Sequence, residues 1–339
     1  MSENLRLGLM LGYWTAQPPP DPLPTVLAAE DAGFDSVWTA EAYGSDVFSP
    51  LCWIGAHTSR IKLATGICQI SARTPASTAM TAATIDHLSE GRMILGLGVS
   101  GPQVVEGWYG QPFDKPLART REYVEVLRRI WAREGPVEHD GEHHPLPTPH
   151  GMGLGKPLKI TTHPRRPDIP IYIGAEGPRN VEQTTRIADG WLPVFYSPQH
   201  SDGMYADALA GRRDDFEIAC PVTVNVTDDV AEGLALTKWS LGFYIGGMGA
   251  KGANFHKDVV ARMGFAAEAE KIQELFLAGR REEAVAAVPD ELADGIALVG
   301  PRERIRERLS AWRDSPVTTL LVNASSPEQA RELAELVEL

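Results

Sequence analysis

The sequence predicts a single (β/α)8 barrel, and three observations lead there. Apolar segments of strand length alternate with segments of helical periodicity about eight times along the chain. The strand segments are apolar on both faces, as expected of a parallel sheet covered on each side. No break in composition divides the 339 residues, so one domain spanning 1–339 is expected, with insertions near 134–168 and 249–300. The other architecture this alternation allows is a doubly wound open sheet.

The elements follow in order. Residues 5–12 read as the first strand and 22–32 as a helix closed by Gly33. Residues 34–39 form the second strand and 50–59 the second helix. Residues 61–68 are apolar and suit a buried strand. In 75–88, Ala79, Ala82, Ala83, Ile85 and Leu88 recur at helical spacing, and Gly91 is placed as a left-handed cap. Residues 92–99 (RMILGLGV) are a further buried strand, in which the glycines satisfy a need for small residues. The helix 116–133 carries Leu117, Val124, Leu127, Ile130 and Trp131 on one face. Residues 134–168, rich in Pro, Gly and His, interrupt the rhythm and have room for a short hairpin. Strands are then expected at 169–174, 191–195, 216–226 and 318–322. Helices are expected at 178–188 and 327–337, and a long, mainly helical stretch at 230–312.

Charge and composition exclude several functions. A net charge of -13 and a pI of about 5.2 argue against nucleic-acid or anionic-membrane partners, which favour basic surfaces. Cys52, Cys68 and Cys220 are too few and too widely spaced for a disulfide framework or a zinc motif. MSENLRLGLMLGYW lacks the basic start and apolar run of a signal peptide, so a cytoplasmic enzyme is expected. His139, Asp140, Glu142, His143, His144 and His150 fit no standard metal spacing and read as a solvated loop. The run 302–308 reads as a solvated helix face, with Ile305, Leu309 and Trp312 packed inward.

The most informative stretch is Ile61 to Gly110. Its RIKLATGI and RTPASTAMTAATIDHLSEGRMILGLGVSGP, with DSVWTAE before and IPIYIGAEGPRNV…ADGWLP after, resemble the bacterial-luciferase-like superfamily over nearly the whole chain. Within it they are similar to the branch using the deazaflavin coenzyme F420. FMN is the alternative cofactor, because the same barrel serves FMN-dependent monooxygenases. A non-catalytic flavin- or deazaflavin-binding protein is a third reading.

The resemblance implies a set of site residues. The bond Gly66-Ile67 would be a non-proline cis peptide backing the deazaflavin ring, followed by Gln69. Ser100, Gly101 and Pro102 would lie beside the cofactor, where the glycine permits close backbone approach. Ala175, Glu176, Gly177 and Pro178 would meet its phosphate or ribityl chain at a helix start. Glu41 would contact the ring. Relatives often carry His at the next position as the proton donor or acceptor, but Ala42 stands here, and no general acid or base is evident. Arg179, Lys156, Lys159, Arg165 and Arg166 would offset the charge of the anionic coenzyme. Tyr13, Trp14, Tyr43, Trp108 and Tyr196 fall at strand ends, where either a small-molecule substrate pocket or core packing would take them. The resemblance also implies a homodimer through the second and third helices, on which Cys52, Trp53, Ala56, Ala79 and Ala83 present small or apolar surface.

Overall fold

Parallel strands close on themselves in the computed structural model, which describes residues 5–16, 19–249, 252 and 254–338. Met1–Asn4, at the start of the segment expected to lack a signal, lie outside the described residues. The strands are β1 (Arg6–Met10), β2 (Ser36–Thr39), β3 (Lys62–Thr65), β4 (Cys68–Gln69), β5 (Met93–Gly98), β6 (Ile171–Gly174), β7 (Gly190–Leu192), β8 (Glu217–Pro221), β9 (Thr223–Val226), β10 (Ala297–Gly300) and β11 (Thr319–Val322). Around the barrel the order is β1, β2, β3, β5, β6, β7, β8, β11. β4 prolongs β3 beyond a bulge, and β3 pairs with β5 to close the circle. Every pairing around the barrel is parallel, and it is the β3–β5 closure that rules out the open sheet.

Two layers of core hold this arrangement. One lies between strands and outer helices. The other fills the barrel with one side chain from most strands: Trp38, Ala64, Ile94, Tyr172, Leu192, Ala219 and Leu321. β1 contributes Gly8 to the interior. A Cβ there would lie 2.8 Å from the Trp38 Nε1 and 2.6 Å from a Leu321 methyl, so the glycine makes room for the indole. Filling the interior this way makes it a packed core, each large side chain contributing roughly 1.5–3 kcal/mol of burial.

Local signals set most of the helices. Pro75 begins Pro75–Leu88 behind a Thr74 side-chain cap on the Ser77 amide at 3.2 Å. The helix ends with Glu90 and Gly91 both left-handed, at φ 58° and 91°. Pro116–Ala132 and Pro327–Val337 occupy nearly the expected bounds. Residues 134–168 contain the short hairpin, as antiparallel bridges Val137–Leu158 and His139–Leu146.

Four expectations need correction. The expected strand 216–226 divides into β8 and β9, because β9 leaves the barrel to pair with β10. β10 itself falls within the stretch 230–312 expected to be helical; at four residues, all buried, it carries too short an apolar run to stand out among helices. Pro102–Gly107 and Pro198–Leu209 are helices where only loop was expected. Ile305, Leu309 and Trp312 are buried as expected, but the same helix is not simply solvated outside. Arg304 and Arg308 grip the Asp294 carboxylate, at 2.8 Å each, and Arg308 also reaches the Ala297 carbonyl. Among the described residues no helix is long and apolar enough to cross a membrane.

Between β9 and β10 the helices Ala235–Gly247, Phe255–Val260 and Ala266–Leu277 build a small core of their own around Leu241, Ile245, Val259, Val260 and Ile272. That core lets the insertion hold a fixed position over one end of the barrel.

Candidate active site at the barrel mouth

The site begins where β3 fails to continue. Its chain bends at Gly66-Ile67, a non-proline cis peptide bond. The Gly66 amide donates to the Thr39 carbonyl at 2.7 Å, and the strand resumes as β4 beside Leu97 and Gly98. The bulge lifts Ile67 onto the top of the barrel interior, against the Trp38 cluster. Two glycines make that possible. A Cβ on Gly96 would sit 1.9 Å from the Thr65 carbonyl oxygen, and one on Gly98 would sit 2.6 Å from the Ile67 Cδ1. The glycines of MILGLG therefore do satisfy a need for small residues, set by the approach of the bulge.

These contacts bring the predicted loops together. Gly174 at the end of β6 faces the Ile67 Cγ2, at 3.4 Å from an added Cβ. Gly98 and Gly174 lead within three residues to Ser100-Gly101-Pro102 and Ala175-Glu176-Gly177-Pro178. All three loops thus meet at the carboxyl end of the strands. Ser100 takes a left-handed φ of 59°, a conformation uncommon for a residue with a Cβ. Ala175 is buried, and its carbonyl accepts the Trp191 indole N–H at 2.7 Å.

Like Gly107, Gly135, Gly203 and Gly211, the glycines of the loops after β5 and β6, Gly101 and Gly177, have an open Cβ direction. Both have negative φ, -113° and -76°, so neither turn geometry nor strain requires glycine. An added Cβ meets only the Gln103 Oε1, at 3.6 Å, in one case and nothing within 4 Å in the other. Each stands directly before a helix whose first turn has no side-chain cap. Bare backbone is therefore presented to open space on two sides of the Ile67 bulge. Nearby, the Gln69 Oε1 and the Asn180 Oδ1 are buried without hydrogen-bond partners among the described residues. An apolar platform, two bare helix starts and two orphaned amides suit a flat ring with a polar edge and an anionic tail.

Glu41 is buried beside this platform, but its carboxylate is occupied. The Arg73 guanidinium donates to both oxygens, at 2.7 and 2.9 Å, and the Gln69 amide donates to one at 2.7 Å. The Gln69 side chain donates in turn to the Glu41 carbonyl, at 3.1 Å. Glu41 thereby ties the β2 loop to β4 instead of offering a free carboxylate to a ring. The sequence reading missed Arg73; its signal was a cation in RTPAS, four residues after Gln69. Cys68, beneath this pair, is pushed up to about 12 by burial and by the Glu41 charge, so it stays a thiol.

Other expected residues separate by position. Tyr196 belongs to the core, edge-on to Trp191, while Tyr13, Trp14, Tyr43 and Trp108 are half-exposed around the mouth. Tyr43 and Trp108 lie 6.3 Å apart, joining the loops after β2 and β5. Arg165, Arg166 and Lys159 of the first insertion do not come to the mouth. Arg166 pairs with Asp86 and donates to the Met93 carbonyl, Arg165 packs by Gly91, and Lys159 donates to the Glu134 carbonyl. These positions mark the amino end of β5, the opposite face of the barrel. The 134–168 hairpin follows a helix, so it returns at that end. The histidines of this insertion form hairpin contacts, such as His139 Nδ1 to the His144 carbonyl at 2.9 Å.

Fold and mouth together define a barrel enzyme with its ligand site at the carboxyl ends of the strands. The chain belongs to the luciferase-like monooxygenase family, whose sequence model matches residues 12–319. It is 53% identical, over 99% of its length and 100% of the relative, to a Mycobacterium tuberculosis protein named "Putative coenzyme F420-dependent oxidoreductase". It is 27% identical to the 5,10-methylenetetrahydromethanopterin reductase of Archaeoglobus fulgidus, over 92% of each chain. Among solved structures, the coenzyme F420-dependent tetrahydromethanopterin reductase of Methanopyrus kandleri superposes with a TM-score of 0.77 at 24% identity. That match covers 98% of this chain and 97% of the other.

Proposed function

We propose that the protein is a coenzyme F420-dependent oxidoreductase that moves a hydride between C5 of the deazaflavin and a small organic substrate. The observation that carries this reading is the pair of bare glycines, Gly101 and Gly177, flanking the Ile67 platform with no internal need for glycine. The cofactor, when bound, supplies the two-electron chemistry. Gly66 and Ile67 would back the ring, and Gln69, with its orphaned Oε1, would meet the polar edge. Ser100, Gly101 and Pro102 would line one side. Ala175, Glu176, Gly177 and Pro178 would line the other, where the free helix start suits phosphate. Glu41 would act through Arg73 and Gln69 by fixing the platform. The name of the 53%-identical relative supports F420 over FMN.

The test is an affinity measurement with both cofactors on the purified, cofactor-free protein. Saturable F420 binding with weaker FMN binding is expected. Tight FMN binding with oxygen-dependent turnover would replace this reading with a monooxygenase.

We further infer a homodimer in the cytoplasm. Three free thiols suit a reducing compartment. For the dimer, Ala79 and Ala83 turn out to be buried within the chain, whereas Cys52, Trp53 and Met80 leave apolar surface exposed on the second and third helices. Sedimentation of a monomer at micromolar concentration would overturn the dimer.

A further inference from the structure

The mouth described so far contains no group that exchanges protons with a substrate: Glu41 is consumed by Arg73, and position 42 is alanine. The insertion between β9 and β10 supplies one. His256, on the helix Phe255–Val260, places its Nδ1 2.6 Å from the Glu176 Oε1, with both side chains largely buried; the contact is short but not aligned as a hydrogen bond, so among the described residues the Nδ1 also lacks a hydrogen-bond partner. The imidazole is walled edge-on by Tyr244, at 4.9 Å between ring centres, and by Phe195 just past β7, at 6.0 Å. The Tyr244 hydroxyl is in hydrogen-bonding contact with that of Tyr13, which follows β1. β6 and β1 stand four strands apart in a circle of eight. The contacts Glu176–His256–Tyr244–Tyr13 therefore link the loop after β6 to the loop after β1 on the opposite side of the mouth, through one short polar contact, one ring contact and one pair of hydroxyls.

A second observation points to a ligand. The other Glu176 oxygen, Oε2, is buried with no hydrogen-bond partner among the described residues, a costly state for a carboxylate unless something supplies a donor. The Glu176 backbone carbonyl, by contrast, is well served, by Tyr205 at 2.7 Å and Arg262 at 3.2 Å. The Glu176 backbone is thus held in place, while its carboxylate keeps one oxygen to spare.

We propose that His256, oriented by Glu176, is the general acid–base of this enzyme, and that its substrate is a carbonyl compound or the corresponding alcohol. A short contact between Nδ1 and a carboxylate is favourable when Nδ1 carries the proton. Nε2 then remains as the exchanging nitrogen, and no described residue bonds it. The cofactor would supply the two-electron chemistry; the part of His256 would be to give its Nε2 proton to the carbonyl oxygen as the carbonyl is reduced, becoming a neutral imidazole that regains a proton from water, and in the reverse direction to take the alcohol proton on neutral Nε2. Tyr244 stays protonated, since burial and the neighbouring Tyr13 hydroxyl raise its phenol. The groups facing the imidazole are Glu176, Tyr244 and Phe195, with Arg262 behind Glu176 and Lys257 and Asp258 on its own helix.

This inference rests on the proposed F420 chemistry, and two readouts separate their failures. The first needs no cofactor. Ring-nitrogen NMR of histidine-labelled protein at alkaline pH should show the Nδ1–H tautomer of His256. In Glu176→Gln it should shift toward Nε2–H. An Nε2–H tautomer in the wild type would overturn the dyad. The second uses F420 and a panel of small ketones, conjugated enones and secondary alcohols. His256→Asn should bind F420 within about twofold of wild type yet lose about 100-fold or more in kcat, together with one limb of the pH profile. Unchanged kcat in His256→Asn, or wild-type inactivity on the whole panel despite F420 binding, would overturn the inference alone. Failure of the wild type to bind F420 would instead remove the proposed function beneath it.

Discussion

Two carboxylates at the barrel mouth have opposite circumstances. Glu41, after β2, accepts hydrogen bonds from Arg73 at both oxygens and from the Gln69 amide, all within one wall. Glu176, after β6, meets His256 with one oxygen and leaves the other buried and unpaired. The first arrangement fixes a surface; the second leaves bonding capacity that no described residue takes up. Proximity to the mouth is common to both, so the hydrogen-bond inventory, more than position, separates a brace from a reacting group.

The largest effect should come from breaking the braced wall. Gly96→Ala pushes a methyl into the Thr65 carbonyl and should cost about 3 kcal/mol or more, with loss of soluble protein as the extreme. Urea unfolding measures it; stability like wild type would mean that the bulge does not constrain β5. Glu41→Gln comes next. It leaves the Arg73 guanidinium, largely buried, without its counter-charge, and should cost on the order of 3 kcal/mol and weaken cofactor binding with it. A Glu41→Gln protein as stable as wild type would show the ion pair to be dispensable. On the open side Glu176→Gln should cost no more than about 1 kcal/mol, because an amide still meets the imidazole. A larger loss in its thermal melt would make Glu176 a second brace and erase the contrast.

A further check lies away from the mouth and tests that pH dependence is assigned to the right groups. Burial lowers the His144 ring to about 4, while the Glu122 charge pulls the other way. The ordinary histidine value is about 6.5, so the folded chain binds fewer protons here than the unfolded chain. This contribution is full above about 6.5 and is lost as pH falls toward 4. His144→Phe, which keeps an aromatic ring edge-on to Tyr123, should flatten the decline in urea-unfolding stability across that window. An unaltered slope would assign the acid sensitivity elsewhere.

Much of the braced wall was legible in the sequence because it is local. Thr74-Pro75, Gly91 and the glycines of MILGLG sit within 25 residues of one another, and each announces its own backbone geometry. The role of Glu41 was less so, because the charge that consumes it is 32 residues away. His256 was not legible at all. It lies 80 residues beyond Glu176, on a six-residue helix with no motif, and only the separate core of the insertion brings it to the mouth. The basic residues of the first insertion misled for the complementary reason: their charge was readable, but which end of the barrel they occupy was not.

The central claim is that bare backbone at the mouth exists to admit the deazaflavin cofactor, and Gly101 tests it most directly. Its Cβ direction is open and its φ ordinary, so Gly101→Leu should fold with wild-type stability. Fluorescence titration with F420 should then show saturable binding to the wild type and an affinity lower by about tenfold or more in Gly101→Leu. Equal F420 affinity in the two proteins, with both folded, would contradict the account.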